Sequence, residues 1–407
     1  MVNKPFIFAV SLAMSIASNL VVQQTVADTT VVNNSSSQSL LINAPLLFDG
    51  NQFLTGQAIL VQNGKIVQVA PLNEISVGDA RQINVPGGTI LPGFIDMHTH
   101  HILNKVPVRR MLEHGVTTAR DLGGPVNPVS IKQPYQLRQL TSGPILSKHS
   151  GYPNNVFPGS GIEVKNPTNA RAIVDSLIAK GASVIAVSLE EGGEQGAPWM
   201  LHEPIPADHW PTLSDDELTA IIDQAHNVHH VRVVAYLGNE IAAQRALSFG
   251  IDEWAHMPCE LLSTDAISSA VSKGVAIDGT IDTEAQCAGV HENAVAFLGA
   301  GGKLFYSTDM GHPDIPHGID AQEIHMELHA GMHSGMSFPV AITQALVSAT
   351  SAAGKYLGLG QLGQIVPGAP ADIIVIDSDP RVNFKELEYP KFVIKDGLVV
   401  IQRAAGE

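Results

Sequence analysis

Between Gly93 and about residue 358, short strand-like runs alternate eight times with stretches of helical periodicity. The strand-like runs are Gly93 to His98, Val116 to Arg120, Pro144 to Ser147, Ser183 to Leu189, Val231 to Leu237, Glu253 to Met257, Val275 to Gly279 and Leu304 to Thr308. Apolar runs of that kind, separated by helical segments such as Ala170 to Lys180 and Asp215 to Ala225, call for a parallel sheet covered by helices. Ser214 and Glu217 have the spacing of a capping box at the start of one such helix. Eight units over roughly 265 residues suit an α/β (β/α)8 TIM barrel, which takes about 250 residues. The Gly- and Pro-rich connection from Gly192 to Trp210 is longer than such loops usually are, and reads equally as a lid or as a surface excursion.

Both flanks of this block read as β structure. Leu40 to Ile42, Ala58 to Val61 and Lys65 to Val69 form one set, with Asn63-Gly64 as a hairpin signal. Ala371 to Ile376 and Phe392 to Ile401 form the other. The expectation is a small β-sandwich assembled from both chain ends, residues 40–90 and 359–407, around a barrel spanning 91–358. Lys4 followed by the apolar run Pro5 to Ala17, with small residues at Thr25-Val-Ala27, has the form of a secretory signal over 1–27. A Ser/Asn-rich flexible leader over 28–39 would follow, and the mature chain would be periplasmic or secreted. The apolar run falls short of the roughly 20 residues that a stable membrane span needs.

A net charge of −16 without a basic cluster argues against nucleic acid or an anionic membrane surface as partner. A small-molecule substrate and a homo-oligomer remain compatible with the chain. Export permits a single bridge between the two cysteines, Cys259 and Cys287, which follow the sixth and seventh strand-like runs; two buried thiols are equally compatible.

The chemistry concentrates at Leu91-Pro-Gly-Phe-Ile-Asp-Met-His98-Thr-His100. Alternate residues of a strand share a face, so Asp96, His98 and His100 point the same way. Two imidazoles fixed at i and i+2 supply the first two ligands that a divalent ion such as zinc needs.

This stretch resembles the first barrel strand of the metal-dependent amidohydrolases. The similarity continues through Gly115 to Gly124, Gly250 to His256, Tyr306 to Asp309 and Gly363 to Asp372, and is nearest to the imidazolonepropionase-like and Xaa-Pro or Xaa-Arg dipeptidase-like branch. In a closed barrel the eighth strand lies beside the first, which would bring Asp309 to His98 and His100. A metal there would lower the pKa of water towards about 7 and polarise a carbonyl. The resemblance implies that Asp309 also moves the proton, and that His256 binds metal or substrate; an N-cap of the following segment is the alternative for Asp309 and a purely structural histidine that for His256.

Two positions depart from that branch. Its fourth strand usually carries a lysine where this chain has Ala186, and its fifth a histidine where this chain has Tyr236. A methyl group ligates nothing, and a phenol is a poor zinc ligand until ionised. The expectation is therefore one Zn2+, unless Glu190 or Glu191 reaches in, with Tyr236 or His256 donating to the developing oxyanion. His149, Tyr152 and Asp121 are candidate substrate contacts, Asp121 being equally suited to capping a loop. His226, His229 and His230 precede the fifth strand and belong at the opposite end of the barrel. His325, His329 and His333 recur at helical spacing, which could chelate an adventitious metal, but a place on the outer helical ring favours a solvated face. The resulting reading is an exported hydrolase that cleaves a C–N bond in a dipeptide or N-acyl amino acid; a barrel that has lost catalysis and only binds is the alternative.

Overall fold

The computed structural model describes residues 39–126, 136–192 and 209–404. The expected signal and leader, apart from Ser39, and the interior of the Gly192 to Trp210 connection lie outside the described residues. Among the described residues no helix is long and apolar enough to cross a membrane.

Ten parallel strands form the central layer. Phe94–Thr99, Val116–Asp121 and Arg138–Thr141 pair in that order. A second sheet holds Gly161–Glu163, Ile145–Ser147, Ile185–Ser188, Val233–Tyr236, Glu253–Trp254, Ala276–Asp278 and Lys303–Phe305. All eight expected strands are present, joined by two that the pattern did not announce, Arg138–Thr141 and Gly161–Glu163. The third strand position is interrupted at Ser142-Gly143-Pro144, where Gly143 takes φ +75°, a conformation that favours glycine, and Pro144 has no N–H to give a ladder. Backbone bonds connect the last strand region to the first: Met97 N–H donates to Tyr306 O at 3.2 Å, Asp309 N–H to His98 O at 2.9 Å and His100 N–H to Met310 O at 2.7 Å. The architecture is a TIM-barrel-like α/β fold.

Local signals explain the helices. Pro167–Lys180 is capped by Asn166 and stopped by Gly181, and Asp215–Asp223 begins with the Ser214/Glu217 capping box. Their apolar faces join the strands in one large buried cluster that includes Leu146, Val174, Leu218, Val234 and Trp254.

Both chain ends meet in a single six-stranded sheet, in which Ile373–Ile376 pairs antiparallel with Thr89–Pro92 and with Phe392–Lys395. A four-stranded sheet from residues 40–84 shares a buried cluster with it, Leu40, Ile42, Ile59 and Val61 meeting Ile90, Ile373, Val375 and Ile394. Thr89–Pro92 passes through Gly93 straight into the strand that carries His98. A Cβ on Gly93 would lie 2.3 Å from the Thr117 side chain, so only glycine allows the two segments to approach there.

Candidate metal centre and active site

His98 Nδ1 lies 2.6 Å from the Ala255 carbonyl oxygen. A carbonyl only accepts, so the ring proton sits on Nδ1 and Nε2 presents a lone pair. That nitrogen stands 3.3 Å from His100 Nε2 and 3.6 Å from Asp309 Oδ1, which is itself 3.2 Å from His100 Nε2. One ligand atom from each of the three residues lies within 4.8 Å of the others, as the strand period and the neighbouring eighth strand require. Asp309 adopts φ +56°, a left-handed conformation that costs a non-glycine residue about 1–2 kcal/mol. The bond from its N–H to His98 O holds it there.

These residues fit a divalent cation. Asp309 Oδ1, one of the three converging atoms, is buried without a hydrogen-bond partner among the described residues, and an unsatisfied buried acceptor is costly. Burial, then the neighbouring His256 and His100 rings, pushes the His98 pKa well down, so it is neutral as a ligand must be. Burial raises Asp309, with His100 and His312 opposing; a cation at this point would favour its ionised form.

His256 and Tyr236 stand beside the cluster, His256 with its ring centroid 4.5 Å from that of His98 and 5.4 Å from that of Tyr236. His256 Nδ1 lies 2.9 Å from Thr280 Oγ1 and 3.3 Å from Glu284 Oε1. Because the Thr280 hydroxyl donates to Gly279 O, it accepts from the imidazole, and His256 Nε2 is left as a lone pair. Burial lowers the His256 pKa to about 3, so the ring is neutral. The Tyr236 hydroxyl donates to Leu122 O at 2.5 Å, while its oxygen stands 3.1 Å from His98 Nε2. Each residue expected to donate to an oxyanion thus has its single proton engaged.

Under the cluster, Arg120 is fully buried between the carboxylates of Glu253 and Asp278, and its Nε donates to Met97 O at 2.7 Å. Burial lowers its pKa, but Glu253 and Asp278 outweigh that and keep it charged. Asp278 Oδ2 lies 3.8 Å from His98 Nδ1, so this ion group reaches the ligand strand. Asp96 shares a face with His98 but turns to Thr308, accepting from its hydroxyl at 2.6 Å, and burial pushes its pKa up to about 7.

The expected substrate contacts divide three ways. Tyr152 is buried, its ring 5.9 Å from Tyr236 and stacked on Trp210 at 6.1 Å, so it forms a wall near the cluster. Burial raises the Tyr152 pKa well up, and Asp309, Glu190 and Glu284 push it further, which marks this wall as acidic. His149 does not line the site: its side chain is 77% exposed and bonds Glu163 at 3.1 Å. Asp121 is buried and caps a loop, taking N–H bonds from Ile102, Gly123 and Gly124 at 2.7, 3.2 and 2.5 Å. Glu190 is buried and accepts from Gly192 N–H at 2.8 Å. Tyr236 is the register partner of Ser188, so Ser188 and the deeper Ala186 share its face and offer a hydroxyl and a methyl. His226, bonded to Asp252 at 2.7 Å, sits before its strand as expected. Thr280 and Glu284, in the loop after Ala276–Asp278, had no signal in the sequence, while Arg120 and Glu253 fall within the stretches that carry the resemblance without their pairing being readable there.

The model of the amidohydrolase family matches residues 89–400. The chain belongs to that family. This amidohydrolase is accordingly a hydrolase acting on carbon–nitrogen bonds. It is 25% identical over 342 residues to uncharacterized proteins of Mycobacterium tuberculosis and Mycobacterium bovis, covering 76% of this chain and 85% of theirs. Among solved structures it resembles a prolidase complexed with N-methylphosphonate-L-proline, with TM-score 0.72, 22% identity, and coverage of 90% of this chain and 100% of that one. It also resembles a Xaa-Pro dipeptidase with methionine bound in the active site, with TM-score 0.71, 20% identity, and coverage of 89% and 100%. At these identities the likeness speaks for the fold.

Proposed function

We propose that this amidohydrolase is an exported dipeptidase-like enzyme that hydrolyses the amide bond of a dipeptide or N-acyl amino acid with one zinc ion. The observation that carries the reading is the convergence of His98 Nε2, His100 Nε2 and Asp309 Oδ1 on one point. His98, His100 and Asp309 would hold the ion, with His256 offering a fourth nitrogen from beyond the end of Glu253–Trp254. When bound, a divalent ion supplies Lewis acidity, which activates water and polarises the scissile carbonyl. Asp309 accepts the proton of the attacking water and returns it to the leaving nitrogen. Tyr152 and Trp210 form an aromatic wall for the substrate side chain. Since the protons of Tyr236 and His256 are engaged elsewhere, these two residues orient and pack the ligand imidazole, and a donor role would require either bond to break.

The same reading takes the parallel layer as a closed (β/α)8 barrel over 91–358 and the end sheets as a sandwich. The bonds from Met97 and Asp309 to the facing strand support the first, and the shared cluster of the two end sheets the second. A signal over 1–27 and a periplasmic or secreted location complete it.

The test is metal analysis and turnover of tag-free protein purified without added zinc, on a panel of dipeptides and N-acyl amino acids. One equivalent of metal is expected in the wild type, absent in His98→Ala, together with hydrolysis that both His98→Ala and Asp309→Asn abolish. A wild type without metal at this site and without hydrolysis would overturn the enzyme in favour of a binding protein, the reading that Ala186 and Tyr236 favour.

A further inference from the structure

Far along the chain from the ligand strand, four histidines gather on the helices Val290–Gly299 and Ala321–His333. Helical spacing places His325, His329 and His333 on one face, and the neighbouring helix brings His291 against it, which no spacing could have shown. His291 Nε2 stands 2.9 Å from His333 Nδ1, the two rings nearly perpendicular at 89°. His329 lies one turn before His333, ring centroids 6.0 Å apart, and His329 and His333 are exposed while His291 is half-buried. His325 stacks on Phe384 at 4.9 Å and also packs edge-on against His329 at 4.4 Å.

We propose that His291, His333 and His329 form a second metal site, open to solvent, that takes a borderline transition-metal ion and bridges the two helices. Imidazole nitrogens bound to one ion at about 2.0–2.1 Å are roughly 2.9 Å apart when cis at 90°, and roughly 3.4 Å apart in a tetrahedron. The 2.9 Å between His291 and His333 is a hydrogen bond whose span equals that of the first geometry, so an ion that displaces the shared proton can take both nitrogens with little movement, while the 3.3 Å between His98 and His100 matches the second. Square-planar or tetragonal nitrogen ligation suits Cu2+ or Ni2+, where zinc prefers the tetrahedron. Histidines at i and i+4 on a helix can chelate together, as the two histidines of a zincin helix do, so His329 can supply the third nitrogen by a side-chain rotation that its exposure permits. A net charge of −16 favours the approach of a cation.

The bridge would lie behind the catalytic loops. Glu323, on the same helix, accepts from the N–H groups of Ile281 at 3.1 Å and Asp282 at 2.8 Å, in the loop that also presents Thr280 and Glu284 to His256.

The test uses metal-free, tag-free full-length protein titrated with CuCl2, followed by calorimetry and by electron paramagnetic resonance for bound imidazole nitrogen. The wild type should take one more equivalent of Cu2+ than the double variant His291→Ala/His333→Ala, and His329→Ala should bind that equivalent roughly tenfold more weakly, about 1.4 kcal/mol. His98→Ala, which removes the centre at the strand ends, should retain the surface equivalent, so failure of one site is separable from failure of the other. Unchanged Cu2+ stoichiometry and spectrum in the double variant, with circular dichroism confirming that it is folded, would overturn the proposal. So would loss of the equivalent in His98→Ala alone.

Discussion

One proton on Tyr236 limits what that residue can do. It goes to the Leu122 carbonyl, so the phenol presents oxygen lone pairs, not a donor, to the His98 edge. Tyr236→Phe keeps the ring among His98, Tyr152 and His256 but leaves a buried carbonyl without its donor, at a cost of about 1–3 kcal/mol. Metal content is expected to stay at the wild-type level, thermal stability to drop by that amount, and turnover to fall about tenfold as His98 loses a neighbour. Metal loss equal to that of His98→Ala would instead make the phenol oxygen a ligand. At this scale the sequence is most readable where chemistry follows local period. His98 and His100 share a strand face, and Asp309 follows the strand that neighbours theirs. Tyr236 and Leu122 are 114 residues apart, and Arg120 and Glu253 133, so which proton meets which acceptor is a product of the fold and invisible beforehand.

Between strands, loops and helices, the links that matter are the ones that tie loops over the site. The Cys259 and Cys287 thiols, equally compatible with freedom and with bonding in the sequence, are joined. The bond closes a 28-residue segment containing Thr280 and Glu284, the partners of His256. A loop of that length constrains the unfolded chain by about 3–4 kcal/mol. Cys259→Ser/Cys287→Ser, or reduction, should lower the unfolding free energy by that amount in a denaturant titration; an unchanged midpoint would show that the bond constrains nothing. The helix Ala321–His333 carries a second control in Glu327, whose pKa burial pushes from 4.5 to about 8 against the bond donated by Ser348 at 2.6 Å. The folded state therefore holds this proton more tightly than the unfolded chain. Its contribution is complete below about pH 4.5 and is lost as the pH rises through about 8. Glu327→Gln, neutral throughout, should flatten the fall in melting temperature over that window, removing a difference on the order of 5 kcal/mol. Parallel curves for both proteins would show that Glu327 does not titrate there. The eight-fold alternation was legible because each unit is local; the break at Gly143-Pro144 and the two additional strands arise where local propensity gives way to pairing.

For the molecule as a whole, the decisive fact is that the last fifty residues complete a sheet begun by the first ones, and that this sheet feeds the ligand strand. Ile373–Ile376 pairs with Thr89–Pro92, and Gly93 N–H donates to Asp372 O at 2.9 Å at the point where the chain turns into the strand of His98. Asp372 also joins the two bodies by charge. Its carboxylate meets Arg138 from the parallel layer and Lys395 from the terminal sheet, the latter at 3.2 Å, and accepts from Asp396 N–H at 2.9 Å. Arg138, Asp372 and Lys395 are all buried. Removing one member of a buried charge group strands the others, which typically costs 3–5 kcal/mol. Asp372→Asn preserves shape and an acceptor oxygen while leaving two buried cations with only Asp396 between them. It is expected to lose about 3–5 kcal/mol of stability in a denaturant titration, with a single transition if terminal sheet and barrel-like layer unfold together. It should also loosen protection from hydrogen exchange at Gly93 to Met97 before it affects the helices on the far side, because the first route from Asp372 into the parallel layer is that strand. Full stability in the variant, or a first transition confined to residues 359–404, would mean that the ends of the chain cover the barrel-like layer without holding its ligand strand in place.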